Sequence, residues 1–95
     1  SFVGGSQELQ NFLAENLVYP RKAYDNEIQG VVIVTFIIKK DGSVSDVDVL
    51  NPVNLALGKA AMDLIKLTNG KWTPGLLFGE IVNVKAKIPI TFSLD

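Results

Sequence analysis

The sequence predicts an α+β fold: a three-stranded antiparallel sheet in the order 2-1-3, with two helices on one face. Three observations predict it. Val31 to Ile38 is a run of eight residues, seven of them β-branched or aromatic and apolar and the other Thr35. Such a run favours strand over helix, and its lack of alternation marks a central strand. Val82 to Leu94 instead alternates. Val82, Val84, Ala86, Ile88, Ile90, Phe92 and Leu94 share one face, and Asn83, Lys85, Lys87, Thr91 and Ser93 the other, as in a strand with one wet side. Two further segments space their apolar residues as helices do.

In chain order, Phe2-Val-Gly-Gly-Ser6 reads as a turn into a helix, with Ser6 the expected N-cap and Glu8 in the first turn, where the dipole favours an anion. Leu9, Phe12, Leu13 and Leu17 form a one-sided stripe, so the helix is expected over Gln7 to about Asn16. Pro20 stops it and pushes Tyr19 to extended geometry. Arg21 to Glu27 is read as a single helical turn with Pro20 at its start.

Gly30 opens the central strand. Asp41-Gly42 supplies a reversal, and Val44 to Leu50 returns as a second arm. There Asp46 and Asp48 face one way, Val47 and Val49 the other. Asn51-Pro52 is a breaker pair, and Asn54 is expected to cap a second helix carrying Leu57, Ala61, Leu64, Ile65 and Thr68 on one stripe. Gly58 weakens that helix by ~1 kcal/mol relative to alanine. Asn69-Gly70 is expected to end it. Trp72-Thr-Pro-Gly75 is a short extended piece, with Trp72 expected in the core near Phe36 and Phe92, and Leu76 to Gly79 connects to the last strand. The second arm, second helix and last strand make a crossover that lands the last strand beside the central one. Pro89 cannot donate to a ladder, so that strand belongs at an edge with the missing donor facing away.

The totals fit one domain. Hydrophobic content is 47% and charged content 20%, a globular balance. At 10.3 kDa, size scaling gives a folded surface of roughly 5,400 Å², with about 64% of the extended chain's surface buried. Net charge is −1 with the nine cations dispersed, so nucleic acid is not an expected partner. There are no cysteines and no histidines, which removes disulfides, thiol chemistry and the commonest general base and metal ligand. No apolar run reaches the ~18 residues of a membrane helix. The abrupt opening on Ser1-Phe2 makes the chain, as one domain over residues 1–95, an expected fragment of a longer protein.

Nothing points to catalysis, metal or cofactor. Asp46 and Asp48 read as the solvated side of a strand rather than an acid/base pair, and the spacing of a calcium loop is absent. Gly4-Gly5-Ser6 lacks the lysine of a phosphate loop. The serines have no histidine to activate them. Lys85 and Lys87 on one strand face either steer an acidic partner or stop an edge strand from pairing indiscriminately. The residues alone therefore describe a non-catalytic domain with one long open edge, suited to adding an extended peptide as a further strand or to pairing with a second copy.

Across nearly all of its length the chain resembles the C-terminal domain of TonB. The resemblance is carried by Phe2-Val-Gly-Gly-Ser6, Leu9 and Phe12-Leu13, Asn16-Leu-Val-Tyr-Pro20 with Ala23, Gln29-Gly30-Val31, Lys40-Asp-Gly-Ser-Val44, Trp72-Thr-Pro-Gly75, Gly79, and Ile88-Pro-Ile-Thr-Phe92 in that order. Each piece is weak alone, and the order and spacing make the match specific. The family implies a periplasmic module of an inner-membrane-anchored protein, driven by an ExbB/ExbD-type motor. It implies energy transfer to outer-membrane TonB-dependent transporters by pairing the last strand with the transporter's TonB box. Carried onto this sequence, the partner-binding residues are Asn83, Val84, Lys85, Ala86, Lys87 and Ile88, with Tyr19 and Pro20 near the transporter plug. The same domain type is appended to other envelope proteins such as sensor-proteases, where a dimerising or structural role is the alternative expectation.

Overall fold

The computed structural model describes residues 2–51 and 54–94. Three helices, α1 (Gly5–Asn16), α2 (Arg21–Asp25) and α3 (Leu55–Lys66), accompany five strands, β1 (Gly30–Ile38), β2 (Val44–Val49), β3 (Gly75–Leu77), β4 (Glu80–Val82) and β5 (Val84–Phe92). The apolar run forms β1, the middle strand of an antiparallel sheet ordered β2-β1-β5. The expected 2-1-3 order is therefore the observed one. The brief helical turn after Pro20 is α2, with Pro20 in the N-cap position.

One face of the sheet carries the core. Val32, Val34, Phe36 and Ile38 are all buried and stand opposite Ile90, Ile88, Ala86 and Val84 of β5. Leu13 of α1 and Leu57, Ala61, Leu64 and Ile65 of α3 close over them, with Phe92 in the same cluster. Burying such side chains contributes about 1.5–3 kcal/mol each. Trp72 joins this core beside Phe36 at 5.6 Å and edge-on to Phe2 at 5.2 Å. It does not pair with Phe92, whose aromatic partner is Tyr19. Among the described residues no second layer covers the opposite sheet face: Val31 is 44% exposed, and Ile33 and Ile37 are half-buried. The unbroken apolar run goes with the central position of β1, which is flanked by β2 on one side and β5 on the other.

Some boundaries differ from the expectation. Ser6 is not the N-cap of α1. The helix begins two residues earlier, at Gly5 behind Gly4, which sits at φ 94° with no side-chain cap. A tight turn from Phe2, whose carbonyl accepts the Gly5 N–H, sets that start, and a Cβ at Gly4 would fall 2.6 Å from Glu8. Asn54 caps α3 as expected, accepting from the Ala56 and Leu57 N–H groups. The helix stops at Lys66, and turns bridge Leu67 to Gly70. Pro52 lies outside the described residues.

The last strand is shorter than the alternation suggested. Val84 to Phe92 pairs with β1, whereas Val82 belongs to β4 and Leu94 lies beyond the strand. The connection Leu76 to Gly79 is part of a second hairpin, β3-β4, turning at Phe78 and Gly79. That hairpin projects Leu76, Leu77, Phe78 and Ile81 into solvent. The molecule extends 49 × 24 × 15 Å and has a surface of 6172 Å², above the scaling expectation for a rounder body.

Candidate functional site

In an antiparallel ladder the N–H and C=O of one residue point to the same side, and successive residues alternate. On β1 the odd positions point toward β2. The Leu50 N–H donates to the Ile33 carbonyl at 2.8 Å. The Asn51 side chain accepts the Ile33 N–H at 2.8 Å and donates to the Val31 carbonyl at 3.0 Å. The even positions of β1 therefore point toward β5, where the register answers them with Val84, Ala86, Ile88, Ile90 and Phe92. Just past the strand, Leu94 keeps the parity, its N–H reaching back to Gln29 Oε1 at 3.0 Å. It follows that Lys85, Lys87, Pro89 and Thr91 turn their backbone groups away from the sheet. The donor that Pro89 lacks is one the sheet does not need.

The two outer edges of the sheet are not alike. On β2, Val44 and Val49 stand opposite the even positions Ile38 and Val34, so their N–H groups face outward. Both are taken by side chains: Val44 by Asn69 Oδ1 at 3.0 Å and Val49 by Asp48 Oδ1 at 2.8 Å. Between them the register shifts in a bulge, with Asp46 at φ 51°. Such a bulge breaks the regular ladder an incoming strand needs. On β5 no side chain of the described residues takes the N–H groups of Lys85, Lys87 or Thr91. One edge is closed by the chain itself and the other is open.

The side-chain surroundings of the open edge also differ by face. Lys85 and Lys87 are exposed on the uncovered face, opposite Ile37 and Thr35 of β1. Neither lysine is in an ion pair among the described residues. On the helix face, Gln10, Leu13 and Ala14 of α1, Leu17 just past its end, and residues 89–91 of β5 border a groove of about 260 Å³. This groove and Thr91 were not among the expected site residues. The parity that selects Lys85 and Lys87 extends past Pro89 to Thr91. The i, i+3, i+4, i+7 spacing of residues 10, 13, 14 and 17 marks a single helix stripe.

The other expected residues have separate placements. Val84, Ala86 and Ile88 are half-buried toward the helices, with their backbone groups turned to β1. Asn83 lies between β4 and β5, and its side chain accepts the Lys40 N–H at 3.0 Å. It clips the β1-β2 turn to the start of β5. Tyr19 packs edge-on against Phe92 at 5.5 Å and Tyr24 at 5.7 Å, and its hydroxyl donates to the Ile28 carbonyl. Pro20 borders a different groove of about 390 Å³, against α3. Tyr19 thus stands at the Phe92 end of β5, a strand that runs roughly 26 Å from Val84 to Phe92 at ~3.3 Å per residue. The described residues contain no group of three or more His, Cys, Asp or Glu side chains able to hold a metal ion. None of their helices is long and apolar enough to cross a membrane.

The family model described as the Gram-negative bacterial TonB protein C-terminal matches residues 15–94. The chain is a member of the TonB C-terminal domain family. Two solved structures are similar to it. The NMR solution structure of the Helicobacter pylori TonB C-terminal domain, residues 179–285, is 32% identical with a TM-score of 0.76, covering 97% of this chain and 86% of that one. A second, of residues 194–285, is 32% identical with a TM-score of 0.72, covering 93% of this chain and 91% of that one. No match was found among curated proteins. TonB C-terminal domains are interaction modules of the bacterial envelope, and membership places this chain among them.

Proposed function

We propose that this TonB C-terminal domain is the partner-binding end of an inner-membrane-anchored, periplasmic protein, driven by an ExbB/ExbD-type motor. It couples that motor to outer-membrane TonB-dependent transporters by adding the transporter's TonB box as a fourth strand along β5. The supporting observation is the asymmetry of the sheet: on β2 the outward N–H groups of Val44 and Val49 are capped by side chains, whereas on β5 no side chain of the described residues takes those of Lys85, Lys87 or Thr91. Strand addition draws its affinity from such backbone groups. Lys85 and Lys87, unpaired beside the edge, raise the rate of encounter with an acidic segment.

A TonB-box peptide from a transporter of the same bacterium tests the reading. Lys85→Pro removes an outward donor and leaves the internal ladder intact, so the variant folds and loses the peptide. Val84→Pro removes a donor to β1 and breaks the sheet. Undiminished affinity in a folded Lys85→Pro variant overturns the proposal.

A further inference from the structure

We infer that the groove between α1 and the outer edge of β5 is a side-chain pocket, and that the segment received there alternates aliphatic with acidic residues. This rests on the strand-addition reading and adds a chemical identity to the incoming strand. A strand joining β5 lies about 4.8 Å outward, and its side chains alternate between the two faces of the sheet. Those on the helix face meet the stripe of Gln10, Leu13, Ala14 and Leu17. Ala14 is exposed and carries only a methyl group, and Leu17 is half-buried. Leu13, Ala14, Leu17 and Leu64 therefore give the groove an aliphatic lining, edged by Gln10, beside the outward N–H of Thr91.

Side chains of opposite parity meet different chemistry. They stand over the uncovered face beside Lys85 and Lys87, whose neighbours across the ladder, Ile37 and Thr35, carry no charge. Two unpaired ammonium groups on one face favour carboxylates there and oppose lysines. One face selects for apolar bulk and the other for negative charge, at alternate positions of one strand.

Three capped peptides of about eight residues test this: valine alternating with glutamate, valine alternating with lysine, and alanine alternating with glutamate. Each is titrated into the 15N-labelled chain and into an Ala14→Trp variant, whose exposed indole fills the groove. The valine–glutamate peptide is expected to bind about tenfold more tightly than either other. Ala14→Trp is expected to abolish the advantage of valine over alanine, while the alanine–glutamate peptide still shifts the Lys85, Lys87 and Thr91 amides. Equal affinities for the valine and alanine peptides, with those amides still shifting, overturn the pocket and leave strand addition standing. An equal affinity for the lysine peptide overturns the acidic half. If no peptide shifts those amides, strand addition itself falls and the pocket with it.

Discussion

The side-chain carbonyl of Asn69 accepts the backbone N–H of Val44 at 3.0 Å, so a residue beyond the end of α3 caps a donor on the rim of β2. The same turn ties to the β1-β2 reversal through the Gly70 N–H and the Gly42 carbonyl at 3.1 Å. A helix-end turn thus both holds the hairpin and caps the β2 edge of the sheet.

Removing that cap has a specific consequence. The double variant Asn69→Ala, Asp48→Ala frees the Val44 and Val49 donors. It is expected to lose about 1 kcal/mol per bond and to show concentration-dependent association in sedimentation, with peptide capture by β5 unchanged. A variant that stays monomeric at the concentrations where pairing is sought shows that the bulge at Asp46 alone closes this edge.

The core prediction concerns Phe92, 1% exposed and in one cluster with Ile90 and Leu64. Phe92→Ala should cost about 3–5 kcal/mol, most of the stability of a domain this small. A melting temperature within a degree or two of wild type refutes it.

Much of this core was legible in the sequence because period alone identifies it. The apolar run, the alternation ending in Phe92 and the stripe from Leu57 to Thr68 need no knowledge of distant partners. The orientation of Pro89 was legible for the same reason, since a missing donor is tolerated only on the outward side of an edge. The Asn54 helix cap was legible, but the long-range asparagine bonds to strand and turn backbone were not. Asn69, Asn51 and Asn83 act on backbone groups far along the chain, at separations of 25, 18 and 43 residues. Their composition is that of ordinary turn asparagines. The β3-β4 hairpin was missed because its turn places Phe78 at φ 50°, where glycine, asparagine or aspartate is the usual signal.

Thr68 supplies another test. It is fully buried; its hydroxyl donates to the Ile65 carbonyl at 2.5 Å and accepts the Trp72 Nε1–H at 2.8 Å. Thr68→Val keeps the shape and strands the indole donor, a loss of about 1–3 kcal/mol. Denaturant unfolding with tryptophan fluorescence measures it. Unchanged stability refutes a structural role for this bond.

Acid sensitivity follows from Asp41. The Ser43 hydroxyl and N–H both donate to its carboxylate, at 2.5 and 3.0 Å, and they hold its pKa below the ordinary 3.8. The Lys59 ammonium does the same for Asp63. A carboxylate depressed on folding stabilises above its unfolded pKa and loses that contribution as pH falls through the folded value. Stability should therefore decline below about pH 4. Asp41→Asn should flatten the decline slightly, as suits a solvent-exposed turn. A steeper acid limb in that variant contradicts the assignment.

The central claim is that β5 receives its partner along the outward side. Amide hydrogen exchange, measured residue by residue with and without a saturating TonB-box peptide, tests it most directly. Lys85, Lys87 and Thr91 should exchange freely alone and become protected in the complex. Val84, Ala86, Ile88 and Ile90, already bonded to β1, should be protected in both. Protection appearing at Val44 and Val49 instead, or no change at the three outward amides, would contradict the account.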